Sequence, residues 1–186
     1  MRNNQPVTQR EYVLSEEAVL ISRSDLKGNV TYANPTFVDV SGYSREELIG
    51  SPHNLLRHPD MPQAAYADFW KTIQAGATWQ GVVKNRRKNG DHYWVHATVA
   101  PLRDGDRLVG YTSVRRKAPA NLVARAEKVY ADIRAKGKSR SYKLAQGTLR
   151  RKGITGFLSR LQFSSLKAKL TSMVVASLLL LCLSGA

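Results

Sequence analysis

Arg57, His58 and Asp60 stand together in Asn54-Leu55-Leu56-Arg57-His58-Pro59-Asp60-Met61-Pro62. A cation, an imidazole and a carboxylate follow two leucines directly and are boxed by prolines. A guanidinium held beside an apolar run suits a phosphate or a carboxylate, and a nearby aspartate can orient it. Asp60 suits a helix N-cap equally well, with Gln63 three residues on. His58 can donate to a phosphate or lie in solvent. His53 and His58 also raise a metal or haem reading, but no second ligand set follows at a characteristic spacing. Asn85 offers different chemistry. Read with a period of two, one strand face carries Trp79, Gly81, Val83 and Asn85, and Tyr93, Val95, Ala97 and Val99 form a similar apolar face across an Asn89-Gly90 turn. An unpaired amide buried there costs roughly 1–3 kcal/mol. Its donor and acceptor match a heterocycle that presents both, or nearby backbone. Gly81 marks a close approach by a ligand, or a bulge. Trp70, Trp79 and Tyr93 supply a flat apolar wall for a ligand, or plain core. Serine elbows, phosphate-cradling glycine loops, metal-binding His pairs on a helix and the Gly-rich dinucleotide fingerprint are all missing, which leaves hydrolytic chemistry and Rossmann-type binding without support.

The elements that must position these groups run in a simple order. Ala18–Arg23 reads as a strand, Asp25-Leu26-Lys27-Gly28 turns it, and Asn29–Tyr32 returns. Three short helical signals follow. Asn34 caps a helix with Pro35 at its first position, and it could also line a pocket. Ser44 and Glu47 form a capping box, and Asp60 opens the third and longest helix, with Tyr66, Phe69, Trp70 and Ile73 on one face. Strands from Trp79, His92 and Leu108 close the domain. Two strands, short helices and three strands joined by hairpins indicate an α+β fold on a five-stranded antiparallel sheet. The outer sheet face, with Trp94, Val109 and Tyr111, is expected to dock signalling elements or the N-terminal arm. Beyond Pro119, Leu122, Ala126, Val129, Tyr130 and Ile133 form a helical stripe ending at Gly137.

Charge divides the 186-residue chain. Residues 1–118 carry 16 Lys/Arg against 12 Asp/Glu, whereas residues 119–186 carry 13 against 2. The basic third leads into Leu170–Ala186, 17 residues without a charge. That length lies at the short end of a transmembrane helix, so this segment is expected to be the start of a span, with the basic residues on its cytoplasmic side contacting anionic headgroups rather than nucleic acid. The lone Cys182 falls inside the apolar run. No intrachain disulfide can form, and the part before the run offers no thiol for a covalent cofactor. The expected organisation is an N-terminal cap (1–15), a sensor domain (16–118), a basic linker and membrane-proximal segment (119–169) and the start of a transmembrane segment (170–186).

Residues 15–117 resemble a PAS domain. Ser41-Gly42-Tyr43-Ser44-Arg45-Glu46-Glu47-Leu48-Ile49-Gly50 and Lys88-Asn89-Gly90-Asp91-His92-Tyr93-Trp94-Val95 are of general PAS type. Arg57-His58-Pro59-Asp60-Met61-Pro62 is more specific and resembles the flavin-binding PAS domains of the aerotaxis-receptor family. The resemblance implies a PAS fold with short helices on one sheet face and a redox- or oxygen-responsive sensor rather than an enzyme. It implies FAD held without a covalent bond by Arg57, His58, Asp60 and Asn85, with His53, Trp70, Trp79, Tyr93 and Asn34 as further pocket residues. It also implies a homodimer at the inner membrane with its PAS domain in the cytoplasm, signalling to a chemotaxis kinase through downstream domains that lie outside these residues. Light-sensing flavin domains of the related type need a cysteine near Arg57, so adduct photochemistry is not expected. The competing readings are a PAS module for haem or a small ligand, and one that only dimerises.

Overall fold

The computed structural model describes residues 4–152. The expected apolar span at residues 170–186 lies outside the described residues, and no helix among those described is long and apolar enough to cross a membrane.

Five strands form one antiparallel sheet: β1 (Leu20–Ser24), β2 (Val30–Ala33), β3 (Trp79–Arg86), β4 (His92–Asp104) and β5 (Arg107–Lys117), in the order β2-β1-β5-β4-β3. The Asn89-Gly90 turn sets the β3–β4 register, pairing Asn85 with Tyr93, Val83 with Val95, Gly81 with Ala97 and Trp79 with Val99. The expected inner face is therefore continuous across both strands. β5 continues it, with Arg115 opposite Ala97, Ser113 opposite Val99 and Tyr111 opposite Pro101.

The three short helices are α1 (Pro35–Ser41), α2 (Arg45–Leu48) and α3 (Gln63–Gln74), with a 3₁₀ turn at His53–Leu56. Their ends follow the sequence signals closely. Asn34 Oδ1 accepts from the Phe37 amide at 3.0 Å, and Gly42 closes α1 at φ 71°, a conformation that costs glycine little. Ser44 and Glu47 make the reciprocal capping box of α2. α3 differs from expectation. It starts at Gln63 after Pro62 with no side-chain cap, because the Asp60 carboxylate is drawn to Lys84 Nζ at 2.7 Å. A full opposite charge on a buried lysine outweighs the modest gain of capping an exposed helix end.

The main core lies under the inner face and gathers Leu20, Val30, Phe37, Leu48, Ile73, Tyr93 and Val95, each no more than 2% exposed. The opposite face is covered too. α4 (Ala120–Lys136) sets Ala126 and Tyr130 with Val82, Trp94 and Met61 in a second cluster, and Tyr130 Oη donates to the Val82 carbonyl at 2.8 Å. The apolar stripe read from the sequence is the face that does this, with Ala126, Val129, Tyr130 and Ile133 buried. Trp94 is thus spent on α4. Tyr111, expected beside it, belongs to the inner core, because an irregularity between Leu102 and Arg103 shifts the β4–β5 register. Residues 142–151, expected as linker, form a hairpin of β6 (Tyr142–Ala145) and β7 (Thr148–Arg151). The N-terminal segment lies along the start of β4: Glu11 bridges His92 in parallel, and the Thr8 amide donates to the Gly90 carbonyl at 2.9 Å.

Candidate functional site

A cavity of about 160 Å³ opens between the inner sheet face, α3 and the 3₁₀ turn. Alternation along the strands delivers its floor: Trp79, Val83 and Asn85 from β3, Ala97 and Val99 from β4, Tyr111, Ser113 and Arg115 from β5, and Ser22 and Ser24 from β1. α3 supplies the roof with Tyr66, Phe69, Trp70 and Ile73 at helical spacing. His53, Asn54 and Arg57 close one side.

The aromatic walls are braced edge to face. Phe69 meets Trp70 and Trp79 with ring centroids 5.3 Å apart, and Trp70 meets Tyr111 at 5.9 Å. Trp79 is oriented by its indole N–H, which donates to Asp68 Oδ2 at 3.0 Å. Gly81 makes this possible, since a Cβ there would stand 2.5 Å from the Trp79 ring. The residue expected to admit a ligand or a bulge instead makes room for a neighbouring indole.

Polar groups enter the cavity at three places. Asn85 is 7% exposed, and its backbone pairs directly with that of Arg57 in an antiparallel bridge. The Arg57 guanidinium stacks 3.4 Å above the Tyr66 ring, while its buried Nε finds no hydrogen-bond partner among the described residues. Arg115, only 8% exposed, donates from Nη1 to Ser22 Oγ at 3.0 Å and lies 5.0 Å from the Phe37 ring centre. Ser22 Oγ in turn lies 2.9 Å from His53 Nε2. Burial, helped by the Arg115 cation, pushes the His53 imidazole down to about 3, so it is neutral near pH 7. Burial also pushes the Arg115 guanidinium down, to about 10, leaving it charged. Among the described residues, no carboxylate forms an ion pair with Arg57 or Arg115.

Of the residues singled out from the sequence, Arg57, His53, Asn85, Trp70 and Trp79 line the cavity, whereas His58, Asp60, Tyr93 and Asn34 do not. Asn34 spends its side chain on structure, accepting from the amides of Ile21 and Phe37 and donating to the Val19 carbonyl. Tyr93 is fully buried core. His58 is 2% exposed, with Nδ1 accepting from the Asp60 amide at 3.1 Å and its ring edge-on to His92. Burial pushes its imidazole down to about 4. Burial, the largest single influence, would raise the Asp60 carboxyl, but the hydrogen bond and charge of Lys84, with the charges of His58 and Arg134, together hold it below its ordinary range. Asp60 also accepts from Arg134 of α4 through its carbonyl. The proline-boxed stretch therefore divides: Arg57 faces the cavity, and His58 and Asp60 face Lys84 and α4.

Ser22, Ser113 and Arg115 are not among the residues singled out from the sequence, and Tyr66 is read there only as part of a helical face. The alternation Tyr111, Ser113, Arg115 would have found two of them once β5 was placed in the right parity.

The PAS fold family model matches residues 30–114. The aerotaxis receptor of Escherichia coli (strain K12) is 45% identical over 161 residues, which is 87% of this chain and 31% of that protein. The nitrogen fixation regulatory protein of Klebsiella pneumoniae is 30% identical over 105 residues, 56% of this chain and 21% of that one. The chain thus spans about a third or less of the length of these relatives. A light-oxygen-voltage domain studied with a flavin analogue superposes with a TM-score of 0.51 and 26% identity, covering 64% of this chain and 87% of that domain. With its sheet order, its helical roof and these matches, residues 30–114 form a PAS domain, and the chain is similar to the aerotaxis receptor.

Proposed function

We propose that this chain is the sensing part of a redox- or oxygen-responsive receptor that binds FAD without a covalent bond and reports to a chemotaxis kinase. One observation carries the reading: the cavity combines aromatic walls, a carboxamide and two arginines that no carboxylate of the described residues neutralises. A flat heterocycle with an anionic arm has the complementary chemistry. The similarity to a receptor named for aerotaxis, and to a light-oxygen-voltage domain studied with a flavin analogue, supports it.

Arg57 would hold the phosphate end, since it is the less buried of the two cations on the wall. Trp70, Trp79 and Tyr66 would pack the ring system, and Asn85 would meet its hydrogen-bonding edge. The flavin supplies reversible electron transfer with a change of charge and protonation on its ring. Asn85 then has to present its donor or its acceptor according to that state. β3 carries Asn85 on one face and Val82 and Lys84, under α4, on the other, so a shift of this strand reaches α4 directly. The state of the ligand changes output only by stabilising two arrangements of these elements unequally. Attachment to the inner membrane through residues 170–186, with the PAS domain in the cytoplasm, and pairing into a homodimer complete the proposal.

The haem alternative is less well served, because His53, the histidine on the wall, gives its Nε2 to Ser22. The visible spectrum of the full chain tests the choice, since cutting at residue 118 would uncover Trp94 and Val82. Flavin bands released as free FAD on denaturation are expected. A Soret band, or a colourless protein that takes up no added FAD, would refute the proposal. Asn85→Ala should lower flavin content or fix the redox response, and a variant unchanged in both would remove Asn85 from the site.

A further inference from the structure

We propose that Arg115 is the charge-selecting residue of the cavity, meeting the ring end of the bound flavin and favouring the form that carries negative charge there. The assignment rests on the flavin reading above and adds to it a residue and a preference.

Arg115 sits on β5, the middle strand of the sheet, and is buried. Its guanidinium has five N–H donors. Among the described residues it makes one hydrogen bond, to Ser22 Oγ, and faces the Phe37 ring. The titratable groups around it are His53, Tyr66 and Tyr93. All three are neutral near pH 7, because burial lowers the imidazole to about 3 and raises both phenols to about 12. The other cation of the cavity, Arg57, has the same sign. A buried cation facing only neutral groups is costly to keep, and the cost is recovered when an anionic group comes within reach. The side chain is nevertheless held in place by Ser22 and Phe37, which is how a residue is kept ready for a ligand.

Position decides which end of the ligand it meets. Arg57 is only half-buried on the lining, whereas Arg115 is 8% exposed and lies under α1 against Phe37, which is 0% exposed. Phosphates keep more of their hydration at the first place, and the flat ring fills the second. Reduction of a flavin near neutral pH leaves negative charge on the ring, so a cation fixed beside it binds the reduced form more strongly than the oxidised one.

The test uses the full chain with Arg115→Gln and Arg115→Lys, and riboflavin, which lacks phosphates, beside FAD. Without ligand, Arg115→Gln should melt no lower than the parent, since it removes an uncompensated charge. Riboflavin should bind Arg115→Gln at least ten-fold more weakly when reduced and nearly unchanged when oxidised, with Arg115→Lys retaining most of the preference. If Arg115→Gln melts lower without ligand and leaves the reduced-to-oxidised ratio of the parent, Arg115 is a structural brace and the proposal fails. A loss seen with FAD but not with riboflavin would place Arg115 at the phosphates and overturn the ring assignment. A parent chain that binds neither flavin in either state refutes the flavin reading itself, and this inference with it.

Discussion

Asp68→Ala should loosen both the cavity wall and the β6–β7 hairpin, because one carboxylate holds them together. Asp68 accepts from Trp79 Nε1 at 3.0 Å, from the Gln146 amide at 3.0 Å and from the Gly147 amide at 2.7 Å. Trp79 is 2% exposed and Gly147 is buried, so alanine strands two donors away from water. Each stranded donor costs roughly 1–3 kcal/mol, while the exposed Gln146 amide regains water at little cost. The hairpin turn can lift to hydrate Gly147, which puts the net loss at about 2–4 kcal/mol. For a chain of this size that corresponds to a melting temperature lower by roughly 5–15 °C. Asp68→Asn keeps one acceptor and should lose about half as much. Thermal melts followed by circular dichroism give the first number, and hydrogen exchange at the amides of 146 and 147 gives the local one. A cycle with Trp79→Phe isolates the indole bond and should show a coupling of about 1 kcal/mol or more. A melting temperature within about 1 °C of the parent, with exchange at 146 and 147 unchanged, would show that the carboxylate holds nothing together.

Other perturbations probe separate parts of the fold. His53 and His58 have folded values of about 3 and about 4, against 6.5 when free, so the stability they support is present above pH 6.5 and is lost as the pH falls through those values. Denaturant midpoints should decline from pH 6.5 towards pH 4, and His53→Asn or His58→Asn should each flatten that decline; parallel slopes in parent and variants would count against buried neutral imidazoles. The hydrogen bond from Arg10, with those from Thr8 and Asn89, holds the Asp91 carboxyl down at about 2, so the N-terminal segment should stay docked at neutral pH and detach as the pH drops from about 3.8 to about 2. Asp91→Asn should make Arg10 a ready trypsin site at neutral pH, and equal cleavage rates would contradict the docking. Tyr130→Phe deletes the bond to the Val82 carbonyl and should cost about 1 kcal/mol, read from urea midpoints, with earlier proteolysis in α4. An unshifted midpoint would mean that apolar packing alone fixes this helix.

Features that depend on near neighbours are legible along the chain. Asn34 before Pro35, the Ser44–Glu47 box, the Asn89-Gly90 turn and the 3.6-residue stripe of α4 act over a few residues, so they could be read directly and stand in the structure where they were read. The inner face of β3 and β4 was legible for the same reason, since the turn fixes their register and alternation does the rest. Features that depend on residues far apart in the chain emerge only when the elements pack together. Asp60 leaves its capping role because Lys84 stands 2.7 Å away, 24 positions on, and Asn34, besides capping α1, bonds to the backbone of Ile21 and Val19. The irregularity at Leu102/Arg103 reverses the parity expected of β5 and brings Tyr111, Ser113 and Arg115 to the cavity. A buried charge is judged by what surrounds it in space, and for Arg115 those surroundings come from β1, α1, α3 and β4, which no local pattern could assemble.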